Sequence, residues 1–290
     1  MEFKIKGCII SFASKSGYQC KGIFYGDSSY KKTVIHIHGS YGNFYDNYFI
    51  QEMAYEYNKN RINLLAFNME THGGFAEGFK GDTYCYVGGA VSRFESSYDD
   101  IQGAVEYVKT FSQDIILQGH SLGTDKVLYY LMKSCSKYPI ILLSPCDSYE
   151  LQKRWIAPET VEEQIERIKR LPETELTWLD IKEYGIKSGD ENYYIPITKK
   201  AFLSLADGFN FKMTRIEVPC DEYWLDTDAF IYIGGNDAFQ TSDISAVRRF
   251  WNMRLRNPQV SYYKIGDHDM SGVLDDVIKA ILSWIKTIEV

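Results

Sequence analysis

Apolar residues along this chain follow two alternating rhythms. In one, three to seven consecutive positions are nearly all apolar and rich in β-branched residues; in the other, apolar residues return every three or four positions. The first rhythm predicts strands at Thr33–His38, Ile62–Phe67, Ile115–Leu117, Pro139–Pro145, Ala229–Ile233 and Val260–Ile265. The second predicts helices over Asn43–Tyr57, Glu95–Phe111, Leu122–Met132, Ile244–Leu255 and Val273–Ile288. Ahead of them, Phe3–Phe12 and Tyr18–Tyr25 flank the turn-rich Ser14-Lys15-Ser16-Gly17, the pattern of an antiparallel hairpin at a sheet edge. Buried strands alternating with amphipathic helices define an α/β fold: a mostly parallel sheet with helices on both faces. Right-handed crossovers then bring the C-terminal ends of the strands to one edge.

Two stretches break the rhythm. Asn68–Arg93 is long, Gly-rich and aromatic, and is expected to be a functional or mobile loop. Residues 147–220 carry helical patches such as Val161–Leu171, whose Glu162, Glu163, Glu166, Arg167, Lys169 and Arg170 are expected to face solvent, but no clear buried strand. This stretch is expected to be a helical cap inserted between two parts of the core, 1–146 and 221–290. Of its aromatic residues (Trp155, Trp178, Tyr184, Tyr193, Tyr194, Phe202, Phe209 and Phe211), most are expected to form the cap's own small core and the rest to wall a substrate pocket.

Composition narrows the class. In 290 residues, 45% are hydrophobic and 24% charged, ordinary for a globular protein large enough to bury a sizeable core. The net charge of −7, with no basic stripe, argues against nucleic acid or an anionic membrane as a partner. No apolar run approaches the roughly 20 residues of a membrane span, and Met1–Lys6 does not resemble the start of a secretory signal. A cytoplasmic location is expected, unless a leader has been removed. Cys8, Cys20, Cys85, Cys135, Cys146 and Cys220 form no C-x-x-C pair, so neither a zinc knuckle nor a redox motif is indicated. No metal or cofactor is expected.

The chemistry gathers at Gly119-His120-Ser121-Leu122-Gly123, where an apolar strand breaks into a helix through a G-x-S-x-G turn. A serine at such a corner stands exposed at a helix N-terminus, and the Leu122 N–H points where a carbonyl oxygen would gain negative charge. Earlier, His38-Gly39-Ser40 turns sharply after a buried strand and leaves the Ser40 N–H as a second donor. Ser121 is thus the candidate nucleophile, with Ser40 and Leu122 as the candidate oxyanion hole.

A serine hydroxyl needs a base, usually an imidazole oriented by a carboxylate. Of the five histidines, His36 and His38 belong to a strand, where pairing to backbone is expected, and His120 adjoins the serine. His72 lies in the long loop, either lining the pocket or solvated. His268, in Gly266-Asp267-His268-Asp269-Met270 after the last strand, has the edge position and mobility of a base. Asp237, closing Gly234-Gly235-Asn236-Asp237, is the candidate acid; Asp147 is its main rival, while Asp267 and Asp269 adjoin the histidine too closely to reach its ring.

These four motifs, in the order serine, acid, histidine, resemble those of the α/β-hydrolase superfamily over the whole chain apart from the cap. Arg93-Phe94-Glu95 with Tyr98-Asp99-Asp100-Ile101, and Leu143-Ser144-Pro145, are similar to serine esterases of the feruloyl-esterase and siderophore-esterase kind. The resemblance implies an eight-stranded, mostly parallel sheet and a metal-free hydrolase. The expected activity is cleavage of a small to medium carboxylic ester through an acyl-enzyme on Ser121, with Asp237 and His268. Thioesterase, amidase and acyltransferase chemistry use the same residues, and a non-catalytic binding protein is the alternative of a different class.

Overall fold

Strands that are apolar on both faces must be covered on both faces, and that requirement organises the molecule. The computed structural model describes residues 5–172, 177–179, 185–188, 191–194, 196–213, 215–216 and 224–288. It begins with the hairpin of β1 (Cys8–Ala13) and β2 (Gln19–Tyr25), which puts β1 at the sheet edge, followed by β3 (Lys32–Ile37), α1 (Phe49–Lys59) and β4 (Ile62–Asn68). A hairpin, β5 (Ala76–Lys80) and β6 (Thr83–Val87), precedes α2 (Ser97–Lys109), β7 (Asp114–His120), α3 (Leu122–Ser134) and β8 (Ile140–Leu143). Next come α4 (Ser148–Ile156), α5 (Val161–Lys169), the short pair β9 (Gly185–Ser188) and β10 (Glu191–Tyr194), α6 (Lys199–Ala206) and α7 (Phe209–Met213). The chain closes with β11 (Leu225–Gly234), α8 (Ile244–Arg254), β12 (Leu255–Tyr263) and α9 (Leu274–Ile285).

Eight strands form one sheet in the order β1-β2-β4-β3-β7-β8-β11-β12. β2 pairs antiparallel with both neighbours, and every pairing from β4 to β12 is parallel. Helices α1 and α9 cover one face, where Phe49, Met53 and Tyr57 meet Val277, Ile281 and Trp284 over Leu64, Ile116 and Phe230. Helices α2, α3 and α8 cover the other, packing Ile101, Val105, Val127, Leu131 and Phe250 on Ile35, Leu117 and Ile231. Register sets Ile37 beside Gly119, His120 beside Leu143 and Gly234 beside Tyr263, so the loops leaving β3, β7, β8, β11 and β12 emerge along one edge.

Two expectations change. The long loop after β4 contains the β5–β6 hairpin; Gly78 interrupts its short alternation, and both strands are half-exposed, so no buried run announces it. Between β8 and β11 the described residues hold four helices and also the β9–β10 pair. That segment has its own apolar cluster around Val161, Ile168, Ile197, Phe202 and Phe211. It joins the rest through Thr198 N–H to the Ala90 carbonyl (2.8 Å) and Phe94 N–H to Ser204 Oγ (2.7 Å). The residues expected to face solvent on α5 do so, with Arg167 half-buried, and a capping box between Thr160 and Glu163 starts that helix. Of the expected site and cap residues, Cys220 and Tyr184 lie outside the described residues, as do the side chains of Tyr193, Tyr194 and Phe209. Cys8, Cys20, Cys85, Cys135 and Cys146 are free thiols. Among the described residues no helix is long and apolar enough to cross a membrane.

Candidate active site

Ser121 occupies the corner between β7 and α3 with φ 54° and ψ −129°, a conformation a non-glycine residue adopts only where the surroundings impose it. Its neighbours show what imposes it. A Cβ on Gly119 would stand 2.4 Å from the Gly123 carbonyl oxygen, and one on Gly123 would stand 2.2 Å from the Ile37 carbonyl oxygen. Only glycine lets strand, helix and β3 meet this closely, and the serine is thrust outward as a result.

His268 lies on the turn after β12, and its Nδ1 is 2.9 Å from Asp237 Oδ2. A carboxylate only accepts, so Nδ1 is the donor, which in a neutral ring leaves the lone pair on Nε2. Asp237, on the turn after β11, is 1% exposed at its side chain and is fixed by the Phe239 N–H, which donates to Oδ1 at 2.8 Å. The Phe239 ring packs edge-on against the imidazole. Ser121 and His268 line the same cavity. The Ser121 hydroxyl lies against the Cys146 thiol, whose pKa burial raises well above the usual thiol value. Among the described residues no hydrogen bond joins that hydroxyl to His268; such bonds often form only when substrate is bound.

The histidine turn is tied down more firmly than its expected mobility implies. Tyr232 Oη donates to the Asp267 carbonyl (2.8 Å), and Tyr48 Oη to the Asp269 carbonyl (2.9 Å). Between them, Ser144 Oγ (2.7 Å) and His120 Nε2 (2.9 Å) both donate to the His268 carbonyl. Burial holds the His120 ring neutral, with its pKa down to about 3. These contacts span distant parts of the chain, and no local pattern points to them.

Ser40 and Leu122, which carry the candidate oxyanion donors, line the same cavity. Neither the Ser40 N–H nor the Leu122 N–H meets an acceptor among the described residues. His38 is paired as expected of a strand-end histidine: Nε2 accepts from the Met69 N–H (3.2 Å), which leaves the proton on Nδ1 to donate to the Gly39 carbonyl (3.0 Å). His36 departs from expectation. Its Nδ1 pairs with the Gln118 side-chain amide at 3.0 Å rather than with backbone, because the neighbouring strand offers that amide across the sheet. His72 does not line the cavity; its Nδ1 lies 2.8 Å from the Met69 carbonyl. Asp147 caps α4 by accepting from the Glu150 N–H (2.9 Å) and also accepts from the Ile216 N–H (3.0 Å). Asp267 Oδ1 accepts from the Ser271 N–H within its own turn.

The cavity holds about 700 Å³ and is walled mainly by apolar groups. Trp155 and Phe211 contribute from the segment between β8 and β11, together with Leu151, Ile197 and Leu205, which the sequence did not single out. Phe202 packs in that segment's own core, and Trp178 is 42% exposed. Among the described residues no group of three or more His, Cys, Asp or Glu side chains is arranged to hold a metal ion.

No protein-family model matches the chain, and no curated protein does so by sequence. Solved structures do. The Pyrococcus furiosus esterase Pf2001 superposes with a TM-score of 0.61 at 14% identity, over 98% of this chain and 94% of that one. Est1E from Butyrivibrio proteoclasticus, seen with ferulic acid bound, superposes with a TM-score of 0.63 at 16% identity, over 95% of this chain and 98% of its own. XC6422 from Xanthomonas campestris, described as an α/β serine hydrolase without a lid, superposes with a TM-score of 0.56 at 12% identity, over 97% and 94%.

Proposed function

On the α/β-hydrolase fold that this chain adopts, we propose a serine hydrolase that cleaves a carboxylic ester in two acyl-transfer steps. The observation that carries the reading is the 2.9 Å His268–Asp237 pair on the same cavity as a strained, outward-facing Ser121. With its proton on Nδ1, His268 offers Nε2 to take the serine proton as the hydroxyl attacks the ester carbonyl. Asp237, buried and fixed by backbone, stabilises the imidazolium that results. The Ser40 and Leu122 N–H groups, unpaired among the described residues, take up the oxyanion; a single donor of this kind is typically worth about 10²–10³ in rate. The imidazolium returns its proton to the leaving alcohol. Water, activated by the same histidine, then releases the acid from Ser121. The mainly apolar wall suits an uncharged acyl or alcohol group of small to medium size, and esterases among the structures it resembles support the ester reading over other acyl transfers.

The test is steady-state hydrolysis of p-nitrophenyl esters of increasing chain length by the wild type, Ser121→Ala and Asp237→Asn. Turnover is expected to fall by about 10⁶ for Ser121→Ala and by about 10⁴ for Asp237→Asn, which turns the imidazole to the wrong tautomer. Undiminished turnover by folded Ser121→Ala would overturn the proposal.

A further inference from the structure

Lys126 takes no part in the steps above, yet no group in the cavity wall is more costly to place there. It is a lysine on the second turn of α3, 1% exposed, beside Gly39 and Ser121. A buried ammonium is tolerated only when its three N–H bonds are used. Its Nζ donates to Thr71 Oγ1 at 3.0 Å, to the His38 carbonyl at 3.2 Å and to the Gly39 carbonyl at 3.4 Å. Three acceptors match three protons, which leaves Lys126 nothing to offer an anionic substrate. Burial pulls its pKa down to about 7, and the nearby Asp100 and Asp125 side chains act in the opposite direction.

Two of those acceptors belong to the turn that carries Ser40. The Gly39 carbonyl and the Ser40 N–H form one peptide unit, and across a trans peptide they point in opposite directions. The carbonyl accepts three hydrogen bonds, from His38 Nδ1 (3.0 Å), Lys126 Nζ (3.4 Å) and the Gly42 N–H (3.4 Å), so the Ser40 N–H points away from all three, and Ser40 lines the cavity. A positive charge on the carbonyl also polarises the unit, because charge-assisted hydrogen bonds are about twice as strong as neutral ones and linked hydrogen bonds reinforce one another.

We propose that Lys126 is a positioning residue, which through the Gly39 carbonyl aims and polarises the Ser40 amide as an oxyanion donor. The inference rests on the serine-hydrolase reading. It is tested with Lys126→Met, which keeps the unbranched apolar stem and removes the charged head, and with Thr71→Val, which keeps the shape of Thr71 and removes one anchor of the ammonium. For each, kcat per titrated active site, KM and inhibition by an alkylboronic acid are measured, the last because its tetrahedral adduct on Ser121 uses the same donors.

Loss of a whole oxyanion donor costs about 10²–10³, so misaiming one in Lys126→Met should cost about 10- to 100-fold in kcat. KM should stay within about threefold, and the boronate inhibition constant should rise by the same factor as kcat falls. Thr71→Val should move both in the same direction by about 3- to 10-fold, the value of one hydrogen bond. A purely structural role would lower the folded fraction but leave kcat per titrated site and boronate binding unchanged; that result in folded Lys126→Met overturns the proposal. If Lys126→Met does not fold, the same result in Thr71→Val does. A wild type that the boronate does not inhibit, together with an active Ser121→Ala, would instead remove the reading beneath it.

Discussion

Ser144 Oγ and His120 Nε2 reach the His268 carbonyl from positions 124 and 148 residues away in sequence. What they hold is the backbone of the candidate base, so Ser144→Ala removes one of two donors without touching the imidazole. The expected result is a loss of about 1 kcal/mol of stability, read from denaturant unfolding, and a several-fold lower kcat at unchanged KM. His36 gives a second prediction at this scale. Burial lowers its folded-state pKa to about 3, against about 6.5 when unfolded, so the unfolded chain binds the extra proton between those values. Its stabilising contribution is complete above about pH 6.5 and is lost as the pH falls toward 3. From pH 7 to 5 that loss is about 2 kcal/mol. His36→Gln should therefore show a flatter stability profile over this interval than the wild type, by about that amount, in urea titrations at each pH. A comparison with the variant is needed because Asp100 and Asp125, whose pKa values burial raises to about 8, act in the opposite sense. The placement of the candidate residues Ser121, Asp237 and His268 along one edge was legible in the sequence because each follows a recognisable strand and turn. His120, Ser144 and Lys126 were not, because their partners are backbone carbonyls of other segments and leave no local signature.

The strand-turn-helix from β7 to α3 was legible for a geometric reason: glycines on either side of a serine are needed where three backbones converge. Gly123→Ala puts this to the test. Its Cβ would meet the Ile37 and His38 carbonyl oxygens at 2.2 and 2.9 Å, backbone atoms that cannot rotate away. A loss of about 3 kcal/mol or more is expected, measured as a lowered unfolding midpoint, with the elbow displaced and turnover reduced in whatever folds. The β5–β6 hairpin and the β9–β10 pair were illegible for the converse reason. Each strand is only four or five residues long, and the hairpin is half-exposed, so neither a continuous apolar run nor a clean alternation marks it. Helix ends shifted as well: α1 begins at Phe49, while Asn43 organises the turn before it by accepting from the Tyr45 and Asp46 N–H groups at 2.9 Å.

Across the molecule, the parallel sheet turns chain order into spatial proximity. Five loops leave neighbouring strands at one edge, and the segment between β8 and β11 contributes an apolar wall over the cavity they share. The alternation of buried runs and amphipathic stretches made the sheet, its two helical layers and the common edge readable; the shape of the cavity was not, since it depends on how a separate small core docks. On the proposed function, this edge activates Ser121 as a nucleophile. Its most direct measurement is intact-mass and peptide mapping after exposure of the folded protein to a fluorophosphonate near pH 7.5. One covalent adduct, mapped to Ser121, absent from Ser121→Ala and formed much more slowly by the His268→Ala variant, is the expected result. A folded wild type that acquires no adduct, or one that acquires the same adduct after Ser121→Ala, would contradict the account.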